Sequence, residues 1–219
     1  MQFSVYTEKE KIAFGEDSPT VVLNLCLPRV REESRLTKGF TAYYNALRAG
    51  FLQFAEGTLQ KKAKGERGED FKPYGAVLSA ITAYDGEGLI SLYVDASVTV
   101  DDKRRVSRIS QLWRKDIGTI VKSAQFFRQG WVKRIKPLLV NAAAEYCENA
   151  ATPLFADWEK QVRDRFCKEQ FYLTPKGAAF YYQPGDLSPA AKCVPLHLTW
   201  DCLLPLVKPS VSALLPKEP

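Results

Sequence analysis

The pattern of this 219-residue chain predicts an α+β fold: an antiparallel β-sheet with helices packed mainly on one face, in two layers. Three observations carry that expectation. Ile90, Leu92, Val94, Ala96, Val98 and Val100 alternate with Ser91, Tyr93, Asp95, Ser97 and Thr99, the two-residue period of a strand with one buried and one wet face. Leu36, Phe40, Tyr43, Tyr44, Leu47, Phe51 and Phe54 recur at spacings of three and four, which draws one apolar stripe down a helix over 33–63. Near the carboxyl end, the aromatic runs Phe171 to Thr174 and Ala178 to Gln183 flank Pro175-Lys176-Gly177, the chemistry of a tight hairpin.

The elements follow in order. A short, mixed opening (Phe3, Val5, Ile12, Phe14) reads as one strand leading to a turn at Gly15-Glu16-Asp17-Ser18-Pro19. Thr20 to Leu27 is the next strand, with Val21, Leu23, Leu25 and Leu27 on one face and Pro28 as its stop. The long helix runs into the polar connector 61–70, whose glycines end it. Tyr74 to Tyr84 and the alternating strand pair through Asp85-Gly86-Glu87-Gly88. Residues 103–115 are extended, with arginine on both faces, as an edge strand or bulge tolerates. Asp116-Ile117-Gly118 turns the chain into a short strand, Thr119 to Lys122. Trp131, Ile135, Leu138, Leu139, Ala142 and Tyr146 mark a helix that Pro137 either kinks or opens. Thr152-Pro153 is a helix start, with Trp158, Val162 and Phe166 on the inner face. Residues 1–207 therefore read as a single domain with halves 20–100 and 103–207, followed by a frayed, proline-punctuated tail, 208–219.

Composition narrows the classes. Hydrophobic content of 46% with 26% charged residues excludes wholesale disorder. No apolar run reaches the length of about 18 residues that a membrane helix needs, and the amino terminus lacks a signal-peptide profile. As written, the chain reads as cytoplasmic. The net charge of +6 favours acidic partners without marking a dedicated polyanion binder. The five cysteines are scattered and odd in number, which suits reduced thiols buried as small hydrophobes.

Residues able to do chemistry are sparse. His197 is the one histidine, and it stands between Leu196 and Leu198 in an apolar strand. No G-x-S-x-G elbow presents a serine, and neither phosphate-cradling glycine motif occurs. One histidine beside scattered cysteines does not make a zinc site. The adjacent acids Glu32-Glu33, Glu69-Asp70 and Asp101-Asp102 would point to opposite strand faces, so they read as turn and cap residues. No metal, cofactor or catalytic residue is expected. The most distinctive surface is the basic stretch 103–115, continued by Lys133, Arg134 and Lys136. Trp113, Phe126, Phe127 and Trp131 interleave with it and would permit base stacking, unless they belong to the core.

The run Phe171-Tyr172-Leu173-Thr174-Pro175-Lys176-Gly177, followed by Ala178-Ala179-Phe180-Tyr181-Tyr182-Gln183-Pro184-Gly185-Asp186-Leu187-Ser188-Pro189, carries more. It resembles the signature of the domain-of-unknown-function family that closes RsiV-type anti-sigma factors and accompanies PdaC-type peptidoglycan deacetylases. That family follows the aromatic hairpin with a last strand and a short helix, here Val194 to Thr199 and Trp200-Asp201-Cys202-Leu203-Leu204. Leu112 to Phe127 is similar to its strand, Asp-x-Gly turn, strand and short helix. A Gly-Gly-Ala-His type motif found in many members is replaced by Val100-Asp101-Asp102-Lys103-Arg104-Arg105-Val106-Ser107.

The resemblance implies a non-enzymatic recognition module whose partner is a macromolecule, a protein or a cell-wall component. It also implies the extracytoplasmic placement of its relatives, in contrast to the amino terminus as written. Lysozyme, sensed by RsiV-type proteins, does not transfer, because two basic surfaces repel. The candidate contact residues are Arg104, Arg105 and Arg108 on the basic strand and Gln183, Pro184 and Asp186 in loop 183–193. The alternatives are nucleic-acid binding through strand 103–115 and an enzyme of unrecognised type.

Overall fold

The computed structural model describes residues 4–15, 20–66, 71–149 and 152–215. β1 (Val5–Phe14) and β2 (Val21–Val30) form an antiparallel hairpin, with Val5 opposite Val30 and Phe14 opposite Val21. α1 (Lys38–Phe54), a π-helical turn (Ala55–Leu59) and α2 (Gln60–Gly65) make one helical run. It leads to β3 (Tyr74–Asp85), which pairs in parallel with β2 from Val21–Tyr74 to Cys26–Ser79. Parallel neighbours need such a helical crossover, because no tight turn can join them. β4 (Leu89–Val100), β5 (Lys103–Arg114) and β6 (Thr119–Ile120) complete a six-stranded sheet in the order of the chain.

After α3 (Ser123–Phe126), α4 (Trp131–Asn149) and α5 (Trp158–Asp164), a second, three-stranded antiparallel sheet is formed by β7 (Phe171–Thr174), β8 (Gly177–Tyr182) and β9 (Val194–Thr199). α6 (Trp200–Leu203) and α7 (Pro209–Ser212) close the chain. The fold is α+β with mostly antiparallel pairing. It differs from a single antiparallel sheet in having two sheets and one parallel pair, β2–β3.

The chain forms two compact units. The first comprises Met1–Ile81 and Val94–Val106, the second Thr82–Tyr93 and Ser107–Pro219. In the first, Val21, Leu23, Leu25 and Leu27 alternate inward from β2, and Tyr74, Ala76 and Leu78 do so from β3. The helical run covers them with Phe40, Tyr44, Ala55, Leu59 and Ala63, all buried. Its start at Lys38, later than the periodicity predicts, has a local cause. The Ser34 amide donates to Thr37 Oγ1 (2.8 Å) and the Lys38 amide to the Ser34 carbonyl (3.0 Å), which closes a turn first. Pro28 does not stop β2. It lies opposite Thr7 and beyond Cys26, the last residue paired with β3, where a missing amide hydrogen costs no bond on that side. The expected turn residues 16–19 and the connector residues 67–70 lie outside the described residues.

The second unit is organised by rings. Phe127 stacks on Trp131 at 4.1 Å between centroids, and Phe126, Phe171, Phe166 and Phe180 complete the cluster at 4.7 to 6.2 Å. Each fully buried aromatic is worth roughly 1.5–3 kcal/mol relative to exposure. Trp113, Phe126, Phe127 and Trp131 are all core residues, which removes them as stacking platforms for bases. Pro137 stands inside α4 on its exposed side, where water can satisfy the carbonyl it leaves unbonded.

Four further expectations change. Ser91 on β4 is buried and accepts the Leu173 amide through its hydroxyl oxygen (2.9 Å), so the polar face of this stretch is not wet. Thr152-Pro153 does not open a helix. The Pro153 carbonyl accepts from Ser188 Oγ (2.9 Å) and the Phe155 amide donates to Leu187 (2.8 Å), and α5 starts at Trp158. The tail is tied in through the Lys208 amide to the Phe126 carbonyl (3.0 Å), with Val211 and Leu215 buried; residues 216–219 lie outside the described residues. Cys147, Cys167 and Cys202 are exposed, and Cys193 is the buried thiol among the described residues.

Candidate functional site

In the first unit, β4 and β5 are joined at Asp101-Asp102, where both residues hold positive φ (50° and 60°). Left-handed backbone at both central positions defines the primed two-residue turn, whose twist matches that of the flanking strands. Aspartate is among the few side chains that tolerate it. The two acids are answered from outside the turn. Lys72 Nζ lies 3.2 Å from Asp102, and Lys62 Nζ lies 3.9 Å from Asp101 and 3.7 Å from Glu66. Lys62 also sits 5.6 Å from the centre of the Tyr74 ring. The Tyr74 hydroxyl donates to the Glu66 carboxylate; this bond, then burial, pushes the phenol up to about 12.

The residues after the turn are different. Lys103, Arg104 and Arg105 are exposed, and no carboxylate lies within ion-pair distance of them among the described residues. The tip of this hairpin is therefore a primed turn whose acids have lysine partners, followed by three consecutive cations.

In the second unit, Arg108 is half-buried, with its guanidinium carbon 3.9 Å from the Tyr93 ring centre and 5.7 Å from those of Tyr172 and Tyr181. Tyr172 and Tyr181 are buried and share a face of the three-stranded sheet with Ala179, opposite to Phe171 and Phe180. A guanidinium over tyrosine rings at a half-buried site such as this is worth about 1 kcal/mol. Gln183, next on that face after Tyr181, fixes the Arg108 main chain. The Arg108 amide donates to Gln183 Oε1 (3.0 Å), and Gln183 Nε2 donates to the Arg108 carbonyl (2.7 Å). The Tyr181 hydroxyl also donates to that carbonyl (3.3 Å), and burial pushes this phenol up to about 12. Ser110 Oγ donates to the Phe171 carbonyl (2.7 Å).

The structure thus brings Arg108 and Gln183 together. Gln183 is placed by its own loop. Asp186 Oδ2 accepts the Gln183 amide (2.8 Å), the Asp186 amide donates to the Gln183 carbonyl (3.0 Å), and Gly185 takes φ of +85° between half-buried Pro184 and Asp186. Leu187 and Ser188 follow, buried. Arg104 and Arg105 belong to the other unit and stay exposed. The tyrosines around Arg108 were not singled out from sequence. Their signal was present in the hairpin, since Tyr172 and Tyr181 fall on the opposite phase from Phe171 and Phe180.

His197 lies on the exposed face of β9, in register with Ala179, and partial burial pulls its imidazole below the ordinary value. Its strand neighbours on that face are Pro195 and Thr199. A cavity of about 610 Å³ in the second unit is lined by Tyr84, Gly86, Glu87, Gly88 and residues 213–215, with Glu87 as its single carboxylate among the described residues. No described helix is long and apolar enough to cross a membrane.

A mixed α+β domain with a cationic hairpin tip and a tyrosine-held arginine is the class of protein this geometry defines. Several solved structures share the fold, two DUF3298 proteins among them. A DUF3298 family protein from Pseudomonas aeruginosa PAO1 superposes with a TM-score of 0.71 at 10% identity, covering 100% of this chain and 99% of that one. A DUF3298 family member from Bacteroides fragilis NCTC 9343 gives 0.69 at 11% identity, covering 99% of this chain and 98% of that one. No protein-family model matches the chain, and no curated protein matches it. At these identities the likeness is one of fold, shared with two members of a family whose function is unknown.

Proposed function

We propose that the chain is a non-enzymatic recognition domain of the kind that closes RsiV-type anti-sigma factors, and that it binds an acidic macromolecular partner through the β4–β5 hairpin tip. The carrying observation is the separation of roles among its arginines. Arg104 and Arg105 stand exposed behind a turn whose acids are already paired, whereas Arg108 is committed to tyrosines and to Gln183. Exposed charged side chains steer encounter and suppress wrong partners. On this reading Arg108, Gln183, Pro184 and Asp186 hold the framework. The four aromatic side chains interleaved with the basic stretch, Trp113, Phe126, Phe127 and Trp131, are in the core, which favours a protein partner over single-stranded nucleic acid at that strand.

The test is affinity capture from lysate and cell-wall fractions with wild type, the R104E/R105E double variant and Arg108→Ala. A partner held by wild type and by Arg108→Ala but lost by R104E/R105E supports the reading. A partner held equally by all three, or none held by wild type, overturns it.

A further inference from the structure

We infer that the outer edge of β5 beside the turn, Lys103 to Val106, accepts an extended acidic segment of another protein as an added strand. This rests on the recognition reading above and supplies its mode. The argument is one of phase. Alternate residues of a strand direct both main-chain polar groups to the same side. Arg108 gives its amide and carbonyl to Gln183, and the Leu112 carbonyl accepts from the Val121 amide (2.7 Å). The even-numbered residues of β5 therefore face the edge away from β4. Burial keeps the same alternation through this stretch, with Val106, Arg108 and Ser110 half-buried and Arg105, Ser107 and Ile109 exposed.

The edge is filled unevenly. β6 pairs only with Trp113 and Arg114. Gln183 occupies the position at Arg108 with a side-chain amide that copies the two bonds of a neighbouring strand. At Arg104 and Val106 no described residue takes the outward amide or carbonyl. An unpaired edge is a template for another strand.

Charge selects the occupant. Lys103 and Arg105 lie on one face of the strand and Arg104 on the other, so acidic side chains on either face of an added strand meet a cation. A second copy of this chain brings the same cations to the same edge and is repelled. A neutral strand leaves them without partners. Asp101 and Asp102 do not compete, because Lys62 and Lys72 engage them.

The probe is a capped hexapeptide of alternating glutamate and valine, added to the full-length, isotope-labelled protein. Its companion carries N-methyl groups on every second amide, in both phases, which removes strand donors and leaves the charge intact. The expected result is saturable binding, amide exchange at Arg104 and Val106 slowed by about tenfold or more, and affinity lowered by about tenfold or more by N-methylation in one phase. No saturable binding overturns the inference. Binding that ignores N-methylation and leaves both amides unprotected also overturns it, while the charge-based recognition reading survives if R104E/R105E still abolishes that binding. Binding unaffected by R104E/R105E removes both. An oligothymidylate that slows these amides in place of the peptide assigns the edge to nucleic acid instead.

Discussion

Arg104 and Arg108 share one strand and one phase of it, yet they do opposite things. The first is exposed, close to a turn with paired acids. The second lies over Tyr93, Tyr172 and Tyr181, with its main chain clamped by Gln183. The difference comes from what each stretch of β5 meets. Beyond Ser107 the neighbours are aromatic strands packed on a ring cluster, which desolvate a cation and then must satisfy it. Before Ser107 the strand offers its outer side to solvent. Residue type on its own therefore says little about whether an arginine binds or builds.

Substitutions can break or sharpen that comparison. The largest effect is expected at Gly177. A Cβ there would come 1.9 Å from the Leu198 carbonyl oxygen, at φ of +154°, so Gly177→Ala should destabilise the second unit by roughly 3 kcal/mol or more. Denaturant unfolding measures this, and Arg104→Ala should change it by no more than about 0.5 kcal/mol. Gln183→Ala removes two bonds to Arg108 and should cost about 2 kcal/mol by the same measurement. Arg108→Ala should cost about 1 kcal/mol, and Arg108→Lys should recover part of it, since an ammonium stacks less well than a planar guanidinium. A cost at Arg104 equal to that at Arg108 would erase the distinction.

Smaller effects test the two frames separately. Replacing Asp101-Asp102 by Asn and Gly should stabilise the first unit by about 1 kcal/mol, because both positions hold left-handed backbone and the exposed ion pairs they lose are weak. The smallest is pH dependence at His197. Partial burial lowers its folded pKa below the unfolded value, so the folded state binds fewer protons and stability is lost as pH falls through and below the ordinary histidine range, about 6.5. Thermal melts of wild type against His197→Gln should show a shallower acid slope in the variant.

Much of the fold was legible because its signals are local. The stripe over Phe40 to Phe54 forms a helix, the alternating run of β4 a strand and the aromatic pair a hairpin, although Ser91 and Ser97 are buried on the face of β4 that reads as wet. What the sequence concealed depends on contacts across the chain. The parallel β2–β3 pair leaves no mark in either strand, and Pro28 stops a strand only if a ladder runs on both sides. Ser91 reads as solvent-facing until Leu173 is known to lie over it. Among the candidate residues, Arg104 and Arg105 are exposed as a basic run should be. The phase of the hairpin puts Tyr172 and Tyr181 on one face, but the inward roles of Arg108 and Gln183 also require Tyr93 to meet them there, which no spacing announces.

Arginine side-chain NMR reads the division of labour most directly. In the free protein the Arg108 Nε–Hε resonance should be displaced by the tyrosine ring currents, with those of Arg104 and Arg105 near their free positions. Titration with the alternating glutamate–valine peptide should move the latter two and leave Arg108 in place. Movement of Arg108 alone, with the hairpin-tip arginines unchanged, would contradict the account.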